Sequence, residues 1–331
     1  MSSPRVAVVR LDALGDTLLS TPAIEHLQER VGAENLLILV SPGMGEVFGE
    51  VIPHVEVAPS LTEPEIAALV DDFGADIVFV FSEKKRALRA AHLSKASQKI
   101  GFDPGWSQPI RSLEVKRFLT MRFPIINSLD SNSRYHEVER YCRLVGKGLS
   151  HKFINGAGLR LFPLGPAGTR GQQPTVIGFQ WTKKWLQGGW SEEILLKILQ
   201  TLPEDTTIFV APAEKDWAES LLPESRRERL SCCPTLLGYA QEIAKCRYLL
   251  TIDTGAVHIA SAVGTPVVDV FPEEKAQHTV PRWRPWMIPH QVVLKPSNSQ
   301  GEAELLRRIA VAVERLEKVL EWKQGLHLSQ R

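Results

Sequence analysis

"YLLTIDTGAVHIASAVGTPVVDVFP", residues 248–272, decides the fold. An apolar run ends at Asp253, and Thr254 and Gly255 make a turn. A helical stretch follows, with His258 about one turn in. Gly264 suits the position after the last helical turn, where a positive φ is needed. Pro266 then opens a second apolar run. Strand, helix and strand in this order build one unit of a parallel sheet. Backbone N–H groups near Thr254, Gly255 and Ala256 point off the helix start, and the helix dipole adds to them, which suits an anion. Gly255 lets a ligand approach the backbone closely. In open sheets of this kind, ligands bind beyond the carboxyl ends of the strands. Spacing alone is equally compatible with a capped helix that binds nothing.

The same alternation runs outward in both directions. Towards the N-terminus, residues 6–11, 36–40 and 77–81 read as strands, and a helix is expected from the first strand's end to about residue 30, with Pro22 kinking it or opening its main part. Residues 135–145, "YHEVERYCRLV", carry apolar residues at helical spacing. "PLGPAGTRGQQPT", residues 163–175, is rich in Gly and Pro and poor in apolar residues, which marks a linker. Beyond it, strands are expected at 176–179, 207–210, 248–252 and 266–271. Helices are expected at 191–201, 216–222, 256–263 and 302–322, with "RWRPWMIPH" irregular. The chain therefore divides into two α/β domains, residues 1–165 and 166–331.

A chain of 331 residues is long enough for two cores. Apolar residues make up 44% and charged residues 23%, ordinary for a globular protein. With a net charge of +1, no overall field draws in nucleic acid or anionic lipid, so a nucleic-acid partner is not expected. No apolar run approaches the ~18–20 residues of a membrane span. The N-terminal apolar stretch is too short for a signal peptide, so the mature protein is expected to start near Met1 and to be cytoplasmic. Of the four cysteines, Cys232 and Cys233 are adjacent and no C-x-x-C occurs, so reduced structural thiols are expected rather than a zinc site.

The second informative stretch is "RLDALGDTLLSTPA", residues 10–23. It carries two acids, Asp12 and Asp16, where the first strand gives way to a helix. Gly15 should let the chain turn sharply off the strand. Asp16 at the helix start should then be held ionised by the local N–H groups.

Together these stretches resemble glycosyltransferase family 9, which contains the ADP-heptose:lipopolysaccharide heptosyltransferases. "D-T-G-x-x-H-x-A-x-A-x-G-T-P", followed by "V-F-P" and a later W-x-P, is similar to one family signature. "R-L-x-x-L-G-D-x-L-L-x-T-P-A" is similar to its N-terminal motif. Weaker matches ("ADIVFVF", "KIGF", "YHEVERYCRLV", "IGFQW" and "WSEE") fall in family order. The resemblance implies a GT-B fold, with two Rossmann-like domains facing a central cleft. The first domain would bind the acceptor and the second the nucleotide sugar, and the last helix can return to the first domain. It further implies an inverting, metal-independent transfer in lipopolysaccharide biosynthesis. The sugar would be a heptose by analogy, moving from a nucleotide diphosphate donor to a lipid-linked or envelope saccharide. ADP-sugar is then a substrate, no cofactor is expected, and peripheral contact with the inner membrane face is allowed.

Residue by residue, the resemblance places Asp16 as the catalytic base. A carboxylate at a strand end can deprotonate an acceptor hydroxyl, though a helix-start acid worth ~0.3–1 kcal/mol is the plainer reading. Asp12 competes but falls at a variable motif position. Acceptor binding is assigned to Arg10, Gly15, Lys84 and Lys85. Arg10 could equally pair with Asp12 or Asp16, and the lysines could simply be solvated beside Arg86 and Arg89; Lys116, Arg117 and Arg122 are vaguer candidates. Donor binding is assigned to Asp253, Thr254, Gly255 and His258, to Glu214 as a partner for the ribose diol, and to Lys183 and Lys184. Tyr239 with Leu236 and Leu237 could line an adenine slot or belong to the core.

One departure stands out. Relatives carry a lysine two residues before a Trp-Pro pair, and that position falls on Gly188 here, with Ser191 in place of the proline. Either Lys183 or Lys184 supplies the cation from earlier in the loop, or donor activation is weaker. Two alternatives follow: the same chemistry on a different sugar donor, or a non-catalytic saccharide- or nucleotide-binding protein. A nicotinamide dehydrogenase would want G-x-G-x-x-G after the first strand, and "DALGDT" lacks it.

Overall fold

The computed structural model describes residues 3–105, 108–124, 135–149, 157–166 and 174–328. Most of the expected linker, residues 167–173, lies outside the described residues. The chain forms two compact units, Met1–Gly165 and Pro166–Arg331.

The first unit runs β1 (Val6–Arg10), α1 (Leu14–Val31), β2 (Leu36–Val40), β3 (His54–Glu56), α2 (Glu63–Phe73), β4 (Ile77–Val80), α3 (Lys85–Leu93), β5 (Gln98–Asp103), α4 (Pro109–Phe118), β6 (Met121–Pro124) and α5 (Glu137–Gly148). Its six strands are all parallel, in the order β3-β2-β1-β4-β5-β6. β1, β2 and β4 are buried along their whole length, as expected of continuous apolar runs covered on both faces. α1 keeps Pro22 inside it. Proline offers no N–H to the carbonyl of Leu18, and the Thr21 hydroxyl donates to that carbonyl instead at 2.6 Å.

The second unit runs β7 (Gly178–Gln180), α6 (Glu193–Gln200), β8 (Thr207–Phe209), α7 (Lys215–Leu221), α8 (Glu224–Arg227), β9 (Leu230–Ser231), α9 (Leu236–Ala244), β10 (Leu249–Ile252), α10 (Gly255–Val263), β11 (Val267–Pro272), α11 (Ala276–Trp283), β12 (His290–Lys295) and α12 (Glu302–Leu328). Its sheet is also parallel, in the order β12-β11-β10-β7-β8-β9. Its core gathers Phe179, Trp181, Trp185, Ile208, Leu250 and Val268, and α12 adds Leu305, Ile309 and Leu316. Gly264 ends α10 at φ 76°, the left-handed cap expected of it.

Counted within its own unit, each sheet has the strand order 3-2-1-4-5-6 of a dinucleotide-binding fold. Chain direction across the sheet reverses between the first and fourth strands. In the first unit that point lies between β1 and β4, and in the second between β7 and β10. The loops leaving those strands splay apart at their carboxyl ends, so the fold opens a crevice there before any side chain is considered.

Candidate active site

In the first unit the switch point holds the two acids. β1 ends in Arg10, which is 1% exposed. Its Nη1 donates to the carbonyl of Phe81, just past β4, at 2.6 Å, and so ties the two strand ends together. Arg10 also lies 3.2 Å from Asp12 and 3.4 Å from Asp16, with its guanidinium 4.9 Å from the Tyr141 ring centre. A buried guanidinium needs such partners, because an unpaired buried charge is costly. The structure therefore spends Arg10 as an internal strut for both acids, the salt-bridge alternative of the sequence reading.

Two local expectations need correction. Gly15 is not the turn: α1 begins at Leu14, and Gly15 is not among the positive-φ glycines. The reversal is made by a bend at Asp12 and by Ala13, whose extended backbone leads into the helix. Nor does the helix start dominate the charge of Asp16. Burial pushes its carboxyl above the ordinary value; Arg10 opposes this, while Asp12, Glu137 and Glu83 add to it. The Asp16 side chain is still 39% exposed, so substrate can reach it. A carboxylate with a raised pKa is a stronger base than an ordinary one. Behind it, Glu137 pairs with Arg140, whose guanidinium also lies 4.0 Å from Glu83. Lys84 precedes α3 and Lys85 opens it; both are exposed, and Lys85 pairs with Glu114 of α4 at 2.8 Å. Neither is drawn into the Arg10 cluster by any hydrogen bond or ion pair among the described residues.

In the second unit the switch point gathers the donor candidates. Gln180 closes β7, and its Oε1 accepts from the hydroxyls of Thr251 and Thr254, the latter at 2.8 Å. That amide bridges the two diverging strand ends, as Arg10 does in the first unit. Thr254 caps α10, accepting the Ala256 N–H at 3.3 Å. The Ala256 N–H is therefore less available to an anion than expected, while the backbone N–H groups of Thr254 and Gly255 donate to no described residue. Lys184 reaches across to Asp253 at 3.4 Å. Lys183 turns elsewhere: its backbone N–H meets Glu214 Oε1 at 3.2 Å and its ammonium lies 5.3 Å from the Trp217 ring centre. Glu214 is thus brought to the same loop. His258 is 3% exposed on α10. Tyr239 packs its ring against Phe209 at 5.4 Å, the core role.

Three residues here were not singled out from sequence. Gln180 is one. Lys295 is another: it ends β12, is 3% exposed and donates to the carbonyls of Trp185 and Gln187. Asp269 is the third, fully buried in β11 with neither carboxylate oxygen hydrogen-bonded. Burial pushes its carboxyl well above the ordinary value; Asp253 adds to this and Lys184 opposes it. An acid inside the apolar run "PVVDVFP" was the available signal for Asp269. Gly188, the departure noted above, has φ 85° and would place a Cβ 3.2 Å from the Ser297 carbonyl. No group of three or more His, Cys, Asp or Glu side chains among the described residues is arranged to hold a metal. No described helix is long and apolar enough to cross a membrane.

Residues 175–309 match the family model for glycosyltransferase family 9 (heptosyltransferase). No curated protein matches the sequence significantly. Among solved structures, a family 9 glycosyl transferase from Veillonella parvula aligns with a TM-score of 0.69 at 16% identity, covering 95% of this chain and 97% of its own. The E. coli heptosyltransferase WaaC with ADP aligns at 0.67 and 18% identity, over 94% and 99%. E. coli ADP-heptose LPS heptosyltransferase II aligns at 0.69 and 14% identity, over 96% and 99%. At such identities the structures speak to the fold, which is GT-B, and the family model speaks to the second unit. On these grounds residues 175–309 are similar to glycosyltransferase family 9 (heptosyltransferase), and the chain as a whole shares its fold with the solved heptosyltransferases.

Proposed function

We propose that the protein catalyses an inverting, metal-independent transfer of a sugar, a heptose by analogy, from a nucleotide diphosphate donor to a lipid-linked or envelope saccharide. The observation that carries this reading is the pairing of two switch points with opposite chemistry. One holds a reachable carboxylate with a raised pKa, Asp16. The other holds a helix start capped by Thr254 and an ammonium, Lys184, on a short loop.

In the reaction, the acceptor hydroxyl gives its proton to the Asp16 carboxylate. Its oxygen attacks the anomeric carbon on the face opposite the diphosphate. The bond from that carbon to the diphosphate oxygen breaks, and the nucleoside diphosphate leaves with the electron pair. Lys184 and the N–H groups at the start of α10 stabilise the charge that develops on the leaving group. Arg10 holds Asp16 in place. Glu214 is offered to the ribose hydroxyls and Asp253 orients Lys184.

The alternative of a non-catalytic binding protein draws on Gly188, which leaves the expected cation position without a side chain. A thermal-shift screen of nucleotide sugars identifies the donor, since a ligand of the native state raises the melting temperature. Incubation of that donor with saccharide acceptors in EDTA then tests turnover. Release of nucleoside diphosphate with an inverted anomeric linkage is expected. Binding without turnover would favour the non-catalytic reading, and loss on chelation restored by Mg²⁺ would overturn metal independence.

A further inference from the structure

Lys295 is an unusual place for a lysine. It ends β12, is 3% exposed, and forms no ion pair with a carboxylate among the described residues. Its ammonium meets neutral groups instead. Nζ donates to the carbonyl of Trp185 at 2.6 Å and to that of Gln187 at 2.7 Å, and lies 4.8 Å from the Trp190 ring centre. Burying an ammonium without a counter-charge is costly, so what it holds matters.

It holds the loop that carries Lys184. After β7 the chain makes a single tight turn, Lys183–Leu186, and leaves through Gly188 and Gly189 at φ 85° and 77°. The last carbonyls of such a turn have no partner within it. Trp185, fully buried, pins the turn from below, and its indole N–H donates to the Gln180 carbonyl at 3.0 Å. On its other flank the loop is not packed: a cavity of about 170 Å³, lined by Lys184, Gly188 and Lys295 among others, lies against it. With empty space on that side, the two carbonyl bonds from Lys295 hold the flank that Trp185 does not.

We propose that Lys295 is a positioning residue of the donor site: by clamping the carbonyls of Trp185 and Gln187 it fixes the Lys183–Leu186 turn and so holds the Lys184 ammonium opposite Asp253. The proposal rests on the donor assignment made above. It replaces a cation missing from the loop at Gly188 not by a second charge on the ligand but by a brace on the one the loop retains.

The test is a double-mutant cycle read by calorimetry with ADP as the probe. Lys295→Met keeps the aliphatic stem and removes the clamp. It should weaken ADP binding by about tenfold, while Lys295→Arg, which can still donate to both carbonyls, should stay within about threefold of the unmodified protein. If Lys295 acts through Lys184, the Lys184→Met/Lys295→Met double variant should bind about as weakly as Lys184→Met alone. Multiplying effects, or ADP affinity unchanged in Lys295→Met, would overturn the proposal. Lys295→Gln, which keeps one donor, is carried through the same cycle in case the methionine variant does not fold. Hydrogen exchange on the ligand-free protein separates this idea from the donor assignment. Faster exchange across residues 182–189 in the variant supports the clamp even if ADP does not bind the unmodified protein, a result that would sink the donor assignment alone. Unchanged exchange sinks the clamp.

Discussion

Replacing Asp16 with Asn tests whether its carboxylate is a base or only a first-turn acid of α1. Asn keeps the side chain's shape at this first-turn position, so the charge, and with it the capacity to accept a proton, is what is lost. Two effects on stability oppose one another. The half-exposed contact to Arg10 at 3.4 Å disappears, and pairs of this exposure are worth ~0–1 kcal/mol. Against that, burial raises the Asp16 pKa, so the folded state resists ionisation that the unfolded chain accepts freely. The carboxylate therefore detracts from stability as pH rises above its ordinary value, and Asn relieves this. Arg10 keeps Asp12 at 3.2 Å and the Phe81 carbonyl at 2.6 Å, so it is not orphaned. The melting temperature should move by no more than ~2–4 °C, the shift expected for ~1 kcal/mol in a chain of this size. Turnover should fall by ~10²–10⁴-fold, the usual contribution of a general base, or ~3–5 kcal/mol of barrier. Donor affinity should not change. The assay is release of nucleoside diphosphate at saturating donor and acceptor, with Asp12→Asn as a control that should do far less. In the unmodified protein, the acid limb of kcat/KM should fall off at a higher pH than an ordinary aspartate would give, because burial favours the protonated Asp16 carboxyl. A variant that loses stability yet keeps its turnover would show Asp16 to be a structural acid of the first turn only.

Two further outcomes can be checked on the second unit. Lys184→Ala should weaken nucleotide-sugar binding by ~1.5–3 kcal/mol, the value of one charge-assisted bond, whereas Lys183→Ala, whose ammonium lies over Trp217, should do much less; calorimetry showing equal losses would contradict the split. Burial pushes the Asp269 carboxyl well above the ordinary aspartate value, so the folded state should keep a proton that the unfolded chain releases, and stability should decline as pH climbs beyond that ordinary value. Asp269→Asn cannot ionise, so its urea midpoint should exceed that of the unmodified protein at pH 8 and converge with it towards pH 4; parallel curves would mean Asp269 is not protonated in the fold.

Much of the fold was legible because buried parallel strands announce themselves. Residues 36–40 are an uninterrupted apolar run and form β2 as expected. The helix after Asp253 and its Gly264 cap could be read from turn chemistry. What was missed lacks such a signal. β3 is three residues long, β6 is a largely exposed edge strand, and β9 has two residues. β12, "HQVVLK", is half-buried at a sheet edge, so its apolar run is too short to stand out. For the site, Asp16, Asp253 and Thr254 sit on recognisable motifs. Gln180, Lys295 and the choice of Lys184 over Lys183 depend on where distant strand ends meet, which only the strand order decides. Gly15 misled because a glycine before an acid suggests a turn, yet here it lies inside the first turn of α1.

The two units share one strand order, so the division of labour between them must come from the residues at their switch points. Each helix that follows a central strand there presents N–H groups and the positive end of its dipole. In α1 that position already has an anion, because Asp16 lies in the first turn. A diphosphate brought to the same place would meet the field of Asp16 and Asp12, only partly balanced by Arg10. In α10 the first turn contains no acid; it is capped by a neutral threonine and continues with Gly255 and Ala256. The nearest carboxylate, Asp253, is paired with Lys184. An external anion therefore has a place at α10 and none at α1. In the proposed reading, charge alone assigns the donor diphosphate to the second unit, and leaves the first unit, with its anion position filled, a carboxylate to offer to a neutral hydroxyl.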